Sequence, residues 1–301
     1  MELGMVGLGR MGGNMTARLL RGGHVVVGQA RRKELIDAVV AQGAKGAETL
    51  ADLVRALSPP RTVWLMLPAG EPTETALSDL GARLAPGDLI VDGGNSYYKD
   101  SIRHAAEAAA RGLHFVDVGT SGGIWGLTEG YSMMVGGDPE DVERLRPALE
   151  SLAPAPDAGW GRVGGHGAGH FVKMVHNGIE YGLMEAYAEG LAILDAKKEY
   201  GIDLAAVARI WQRGSVIRSW LLDLTAEALR DPQKLAAIAP YVSDSGEGRW
   251  TVLESLDLNV SAPVIALALE RRIRSREADP LVEKLLSAMR QEFGGHAIRT
   301  E

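Results

Sequence analysis

The chain of 301 residues contains no cysteine, which excludes disulfide staples, thiolate nucleophiles and cysteine-ligated metals and fits a reducing compartment. It has no apolar run near the ~20 residues that a membrane helix needs. The opening Met-Glu-Leu-Gly-Met-Val-Gly shows neither a basic segment nor a cleavable apolar stretch, so a cytoplasmic protein is expected. A basic surplus is missing too: the formal net charge is −7, which argues against nucleic acid as a partner. An anionic ligand must then find a locally basic pocket, because the overall field does not attract it. Repeats and low-complexity segments are absent. The length and the 46% hydrophobic content suffice for one large or two ordinary domains.

What is present changes character along the chain. The first half alternates short apolar runs (2–7, 24–28, 61–67, 88–92, 114–118 and 131–135) with amphipathic stretches such as 11–21, 71–84 and 97–111. That alternation predicts a mostly parallel sheet covered by helices on both faces. A Pro/Gly-rich passage around 154–169 follows, and from there helical periodicity dominates: one long helix over 171–198, then segments near 204–213, 217–229, 250–256, 264–276 and 280–293. A boundary near residue 165 is expected, with one domain over 1–165 and an all-helical one over 166–301.

Gly7-Leu8-Gly9-Arg10-Met11-Gly12 follows the first expected strand and opens a helix. The three glycines permit a tight turn, close approach of a pyrophosphate, and tight helix–strand packing, while the helix N-terminus offers unpaired N–H groups and a positive dipole end. In this context the fingerprint predicts a Rossmann-type, doubly wound dinucleotide-binding domain. The second strand ends in Gly28-Gln29-Ala30-Arg31-Arg32-Lys33, with no acid to accept the ribose hydroxyls of NAD. Arg31 and Arg32 could clamp a 2′-phosphate, so NADP is expected as cofactor, with NAD as the alternative; a solvated basic helix start is the plainer reading.

Lys173, His176, Asn177 and Glu180 fall at i, i+3, i+4 and i+7, one face of a helix. A stripe of amine, imidazole, amide and acid is too costly to bury unless something polar binds there. A Lys–Glu surface pair fits poorly, since seven residues exceed the i,i+4 reach. Two loops add to it. Asp92-Gly93-Gly94-Asn95-Ser96 follows a strand and so lies at the carboxyl edge of the sheet, although Asn95 could equally cap the next helix. Ser121-Gly122-Gly123 brings a hydroxyl and bare backbone after the following strand, although its glycines could be turn residues only. Among the seven histidines, His166 and His170 have helical spacing but fall in a glycine-rich loop, where they are read as serving the hinge or cofactor approach. No metal is expected.

The segments GLGRMG, DGGNS, SGG, KMVHNGIEYG, GEGRWT and FGGH, in this order, resemble 6-phosphogluconate dehydrogenase of the decarboxylating kind, in its short prokaryotic form with a single helical domain. The resemblance implies a pentose phosphate pathway reaction: oxidation of 6-phosphogluconate at C3, loss of carbon dioxide and release of ribulose 5-phosphate. It makes Lys173 the general base and Glu180 the acid that protonates C1 of the enediol. Such roles ask for a lysine made less basic and a glutamate made less acidic by their surroundings. Asn95, Ser121, Gly122, Gly123, His176, Asn177 and Tyr181 match contacts to the sugar acid, Asn95 and His176 also holding the reacting carbon near the nicotinamide. Tyr181, Arg249 (where the family has lysine) and Arg272, or a neighbour of it within 271–276, match the phosphate contacts. Arg290 and His296 match residues that reach the neighbouring subunit's site, so a homodimer or higher oligomer is implied; by itself Arg290 reads as a solvated helix charge. The loop Leu67-Pro68-Ala69 occupies the place of a cofactor-contacting loop but departs from the family's pattern. Two rivals share the fingerprint: a non-decarboxylating β-hydroxyacid dehydrogenase of the 3-hydroxyisobutyrate type, and a non-catalytic NADP-binding sensor. Glu180, DGGNS and FGGH speak against the first, and the intact Lys173–Glu180 pair against the second.

Overall fold

The structure, a computed structural model, describes residues 1–278, 281–294 and 297–299. It divides into two compact units, Met1–Asn177 and Gly178–Glu301. In the first, the chain runs β1 (Glu2–Val6), α1 (Arg10–Arg21), β2 (Val25–Gln29), α2 (Lys33–Val40), β3 (Lys45–Ala47), α3 (Leu50–Ala56), β4 (Thr62–Leu65), α4 (Glu71–Gly81), β5 (Leu89–Asp92), α5 (Tyr98–Ala109), β6 (His114–Ser121), α6 (Gly126–Glu129), β7 (Ser132–Gly136), α7 (Pro139–Leu152), β8 (Trp160–Gly164) and the start of α8 (Ala168–Ala196).

These strands form one sheet of order β3-β2-β1-β4-β5-β6-β7-β8, parallel throughout except for the β6–β7 pair. The connection reverses direction around β1, whose neighbours are β2 and β4. In open α/β sheets that reversal leaves a ligand crevice at the carboxyl ends of the strands. Alternation sends Leu3 and Met5 of β1 into one core, with Met15, Leu19, Trp64 and Leu145, while Val6 joins the other, with Leu53, Leu65, Leu80 and Phe115. Full burial of each such side chain contributes about 1.5–3 kcal/mol. Apolar strands buried on both faces, as β4 and β5 are, belong to a sheet with helices on either side.

The second unit is entirely helical among its described residues. It holds the remainder of α8, then α9 (Leu204–Trp211), α10 (Trp220–Ala228), α11 (Pro232–Ala236), α12 (Glu247–Asp257), α13 (Pro263–Arg274) and α14 (Leu281–Gly294). Its cores are small, one around Tyr181, Ala268 and Leu269 and another around Ala208, Leu222 and Ala226. Many apolar side chains stay exposed, including Ile179, Ile193, Ile210, Leu256, Val264 and Leu267.

The α/β-then-α architecture is the expected one; several elements are not. The passage before the long helix, read from its sequence as irregular, contains β8, a half-exposed strand of Trp-Gly-Arg-Val-Gly whose alternation is too weak to announce it. The three-residue β3, and the helices α3, α6, α7 and α11, are likewise not among the expected segments. The long helix starts at Ala168 rather than 171, which moves His170 out of the glycine-rich loop and into its first turn. The two compact units meet inside α8, whereas the sequence places the boundary near 165. Among the described residues no helix is long and apolar enough to cross a membrane. Nor do three or more His, Asp or Glu side chains among them gather in a way that could hold a metal ion.

Candidate active site

The glycine loop between β1 and α1 is shaped by contacts that only glycine permits. Gly7 has φ +91° and donates its N–H to Gln29 O at 2.9 Å. A Cβ on Gly12 would stand 2.0 Å from Gly7 O, so the helix begins directly against the turn. Gly9 differs: a Cβ there would meet nothing within 4 Å. The open face over Gly9, at the N-terminus of α1 with no acid in its first turn, fits the diphosphate of a dinucleotide by both space and charge. Leu8 is buried beneath the loop, Met11 is half-buried and Arg10 is exposed.

At the end of β2, Ala30 is buried while Arg31 and Arg32 are exposed. Arg32 pairs loosely with Glu34 at 3.4 Å, both two-thirds exposed, an arrangement of little energetic consequence. The loop Leu67-Pro68-Ala69 after β4 is tied down by Thr73, whose hydroxyl donates to Pro68 O at 2.8 Å. Leu67 packs against Gly7, and Leu67 O lies 2.6 Å from where a Cβ on Gly94 would be. The departing sequence of this loop thus sits between the glycine turn and the DGGNS loop. There Asp92, fully buried, accepts from Gly94 N–H (3.1 Å) and from the Ser96 hydroxyl (2.6 Å). The Asx turn leaves Asn95 exposed at the sheet's carboxyl edge. The cap of α5 is Tyr97, so Asn95 is not the helix cap that the sequence left open.

Ser121 closes β6, paired with Ser132 of β7. Gly122 and Gly123 follow with φ of +127° and +51°, so these glycines are demanded by the turn. Beside them α8 lies directly on β6: a Cβ on Gly119 would be 2.4 Å from Lys173 Cβ and 2.6 Å from Gly169 O. Lys173 is 7% exposed, and its Nζ donates to Asn177 Oδ1 at 2.6 Å with His176 Nδ1 at 3.5 Å. His176 Nδ1 and Asn177 Oδ1 are 3.0 Å apart. Amine, imidazole and amide therefore form one part-buried polar cluster, as the helical spacing predicts. Sequence reasoning passed over Asp117 of the same strand, whose carboxylate accepts from the N–H of Gly167 (2.6 Å) and of His170 (2.9 Å). The available signal was an acid inside an otherwise apolar run, since a buried charge is costly unless it is paired.

In the second unit, Glu180 is half-buried on α8 and Tyr181, beside it, is buried. Tyr181 is sandwiched. A Cβ on Gly248 would be 2.2 Å from its ring, and the Arg272 guanidinium lies 3.4 Å from the ring centroid on a cation–π contact. The Tyr181 hydroxyl is buried without a hydrogen-bond partner among the described residues. Asp244 accepts from Gly246 N–H (3.0 Å) and from Arg249 (2.7 Å), with Arg276 at 3.9 Å. Burial would raise this carboxyl, but the Arg249 hydrogen bond, the Gly246 N–H and the two guanidinium charges outweigh it and hold it below the usual range. Of the arginines in 271–276, Arg271 pairs with Glu185, Arg274 with Glu277 and Glu283, and Arg276 faces Asp244. Arg272 has no carboxylate partner among the described residues, touching instead Ser243 O and Met184 Sδ. Arg290 is exposed on α14, and His296 lies outside the described residues.

Residues 2–162 match the family described as the NAD binding domain of 6-phosphogluconate dehydrogenase, and residues 169–292 match its C-terminal domain. A Haloferax volcanii protein named 6-phosphogluconate dehydrogenase, NAD(+)-dependent, decarboxylating, is 42% identical over 299 residues, 99% of this chain and 98% of that one. Among solved structures, Plasmodium falciparum 6-phosphogluconate dehydrogenase, determined in apo form, with NADP+ and with 6-phosphogluconate, aligns with a TM-score of 0.84 at 27% identity. That alignment covers 100% of this chain and 66% of the Plasmodium chain. Mycobacterium tuberculosis 3-hydroxyisobutyrate dehydrogenase aligns with a TM-score of 0.73 at 23% identity, over 96% and 99% of the two chains, a likeness of fold.

Proposed function

This chain belongs to the 6-phosphogluconate dehydrogenase family, and from that premise we propose that it oxidatively decarboxylates 6-phosphogluconate to ribulose 5-phosphate, with NADP as preferred cofactor. The observation that carries the reading is the buried Lys173 amine, held 2.6 Å from Asn177 Oδ1 on the face of α8 that packs on β6.

The glycine turn over Gly9 and the N-terminus of α1 would hold the dinucleotide's diphosphate, with Arg31 and Arg32 at its 2′-phosphate and Leu67–Ala69 and Asn95 alongside. A bound nicotinamide would supply the acceptor for the hydride that leaves C3. Lys173 takes the C3 hydroxyl proton onto Nζ, its lone pair aimed by the bond to Asn177. The carboxylate is then β to a ketone and leaves as carbon dioxide, and the Lys173 ammonium stabilises the enolate that remains. Glu180 delivers a proton to the carbon that lost the carboxylate, C1 of the product. Asn95, Ser121, Gly122, Gly123, His176 and Asn177 orient the sugar acid. Tyr181, Arg249 and Arg272 hold the phosphate, Arg272 being the arginine of its run that no carboxylate neutralises among the described residues. Arg290 and His296 would complete a neighbouring subunit's site, and a cytoplasmic enzyme follows from the same reading.

The decisive assay follows carbon dioxide and reduced cofactor together from 6-phosphogluconate. Equal yields support the proposal, whereas cofactor reduction without carbon dioxide would place the chain with the non-decarboxylating dehydrogenases. Lys173→Ala should abolish turnover and leave NADP binding in place. Arg31→Ala should lower kcat/KM with NADP but not with NAD; efficiencies left unchanged with both cofactors would remove the basic pair from the argument.

A further inference from the structure

The contacts that hold α8 against β6 play no part in the reaction scheme, yet they converge on the base. Asp117 is 0% exposed, between the fully buried Val116 and Val118 of β6. Its two oxygens are divided between the N–H groups of Gly167 and His170, donors that a helix start leaves unpaired. A carboxylate there also meets the positive end of the helix dipole, and charge-assisted bonds of 2.6–2.9 Å are short and directional. The slot around it admits no side chain: a Cβ on Gly136 would lie 2.6 Å from Asp117 Oδ1, and one on Gly169 2.6 Å from Asp117 O. His170, 1% exposed, is held from the other side by Ser101 of α5, with its Nδ1 2.7 Å from the hydroxyl oxygen.

Asp117, Gly119 and Ser121 share one face of β6, since alternate residues of a strand point the same way. In order along that face they grip the first turn of α8, receive the stem of Lys173, and open the Ser121–Gly123 loop. We propose that Asp117 is a positioning residue for the reaction: it fixes the axial register of α8 on β6, and so the place of the Lys173 amine relative to the Ser121–Gly123 loop that the same strand delivers. The proposal rests on the role given to Lys173 above. A helix that slips by one residue moves its side chains about 1.5 Å along the axis and 100° around it. A misplacement on the order of 1 Å costs roughly a hundredfold in rate.

Asp117→Asn keeps the size but offers one acceptor oxygen and turns an amide N–H toward a backbone N–H. With 6-phosphogluconate and NADP, kcat should fall about ten- to a hundredfold while KM for NADP stays unchanged. The primary deuterium isotope effect on kcat, with substrate labelled at C3, should rise as hydride transfer becomes the slower step. Hydrogen exchange read by mass spectrometry should show lost protection confined to 167–173, with α1 unaffected. Ser101→Ala, which leaves the carboxylate intact and loosens only the His170 side, should give a smaller loss of the same kind and serves if Asp117→Asn does not fold. A lowered Tm with wild-type kcat per NADP-binding enzyme and an unchanged isotope effect would make Asp117 a helix cap only and overturn the proposal; so would unaltered exchange over 167–173. Wild-type enzyme inert toward 6-phosphogluconate would instead overturn the functional reading, with the exchange measurement still deciding the clamp.

Discussion

Arg272 illustrates how much one side chain's geometry fixes. Its guanidinium is spread over the Tyr181 ring, so the ring sets the plane in which its N–H groups point. If Arg272 holds the substrate phosphate as proposed, replacement by leucine should raise KM for 6-phosphogluconate about ten- to a hundredfold with kcat nearly kept. Replacement by lysine should recover only part of that loss, because an ammonium neither stacks nor forks; steady-state kinetics at saturating cofactor checks both. His24 makes the complementary case for stability. It is 7% exposed, between the chain's amino terminus (3.1 Å) and the Ser151 hydroxyl (2.7 Å). Burial, and then the amino-terminal charge, push its pKa below the ordinary 6.5. The unfolded chain therefore binds the proton more readily, and stability present above about pH 6.5 is lost as pH falls through the window down to the depressed folded value. Thermal melts between pH 7.5 and 5 should show a slope that His24→Gln flattens; the same slope in both proteins would assign it elsewhere.

At the scale of elements, the packing of α8 on β6 depends on Gly119. Alanine there would press its methyl against the Gly169 carbonyl, which belongs to backbone and does not yield as a side-chain tip would. Gly119→Ala should cost about 1–3 kcal/mol of stability and reduce kcat in the protein that still folds. Denaturant unfolding and kinetics on the same preparation test this, and a fully active, fully stable variant would show that the helix can retreat without consequence. This element also shows where sequence reading stops. The polar face of Lys173, His176 and Asn177 was legible because helical spacing is local, and the cluster forms as that spacing requires. The glycine turn was legible for the same reason. Asp117, Gly119 and Gly248 were not, because their reasons lie in partners 53, 54 and 67 residues away. Gly248 sits in a segment matched for its arginine, yet its task is to leave room for the Tyr181 ring. Short or weakly patterned elements such as β3 and β8 escaped for another reason: the sheet supplies their stability, not their own residues.

For the whole molecule, the second unit leaves many described apolar side chains exposed around its small cores, with Ile193 72% and Ile210 69% accessible. Surface of that kind is expected to be covered by a second copy, and a tail that completes a neighbour's site would require it. Light scattering should find a dimer or larger assembly at assay concentrations, and dilution to monomer should abolish turnover. A monomer with full activity would sink the expectation. A different consequence attaches to the open space over Gly9. Its backbone angles, φ −64° and ψ −168°, suit any residue, and a methyl group there would touch nothing. The chain itself therefore makes no demand for glycine at this position, and on the proposed reading the demand comes from the ligand. Gly9→Ala should melt where the wild-type apoprotein melts. At a hundredfold excess over Kd, wild type gains about 2.7 kcal/mol from NADP by mass action, and the variant should gain almost none. In a thermal-shift titration the two proteins would begin at one temperature and separate only as cofactor is added, so that a single methyl group distinguishes what the fold requires from what its ligand requires.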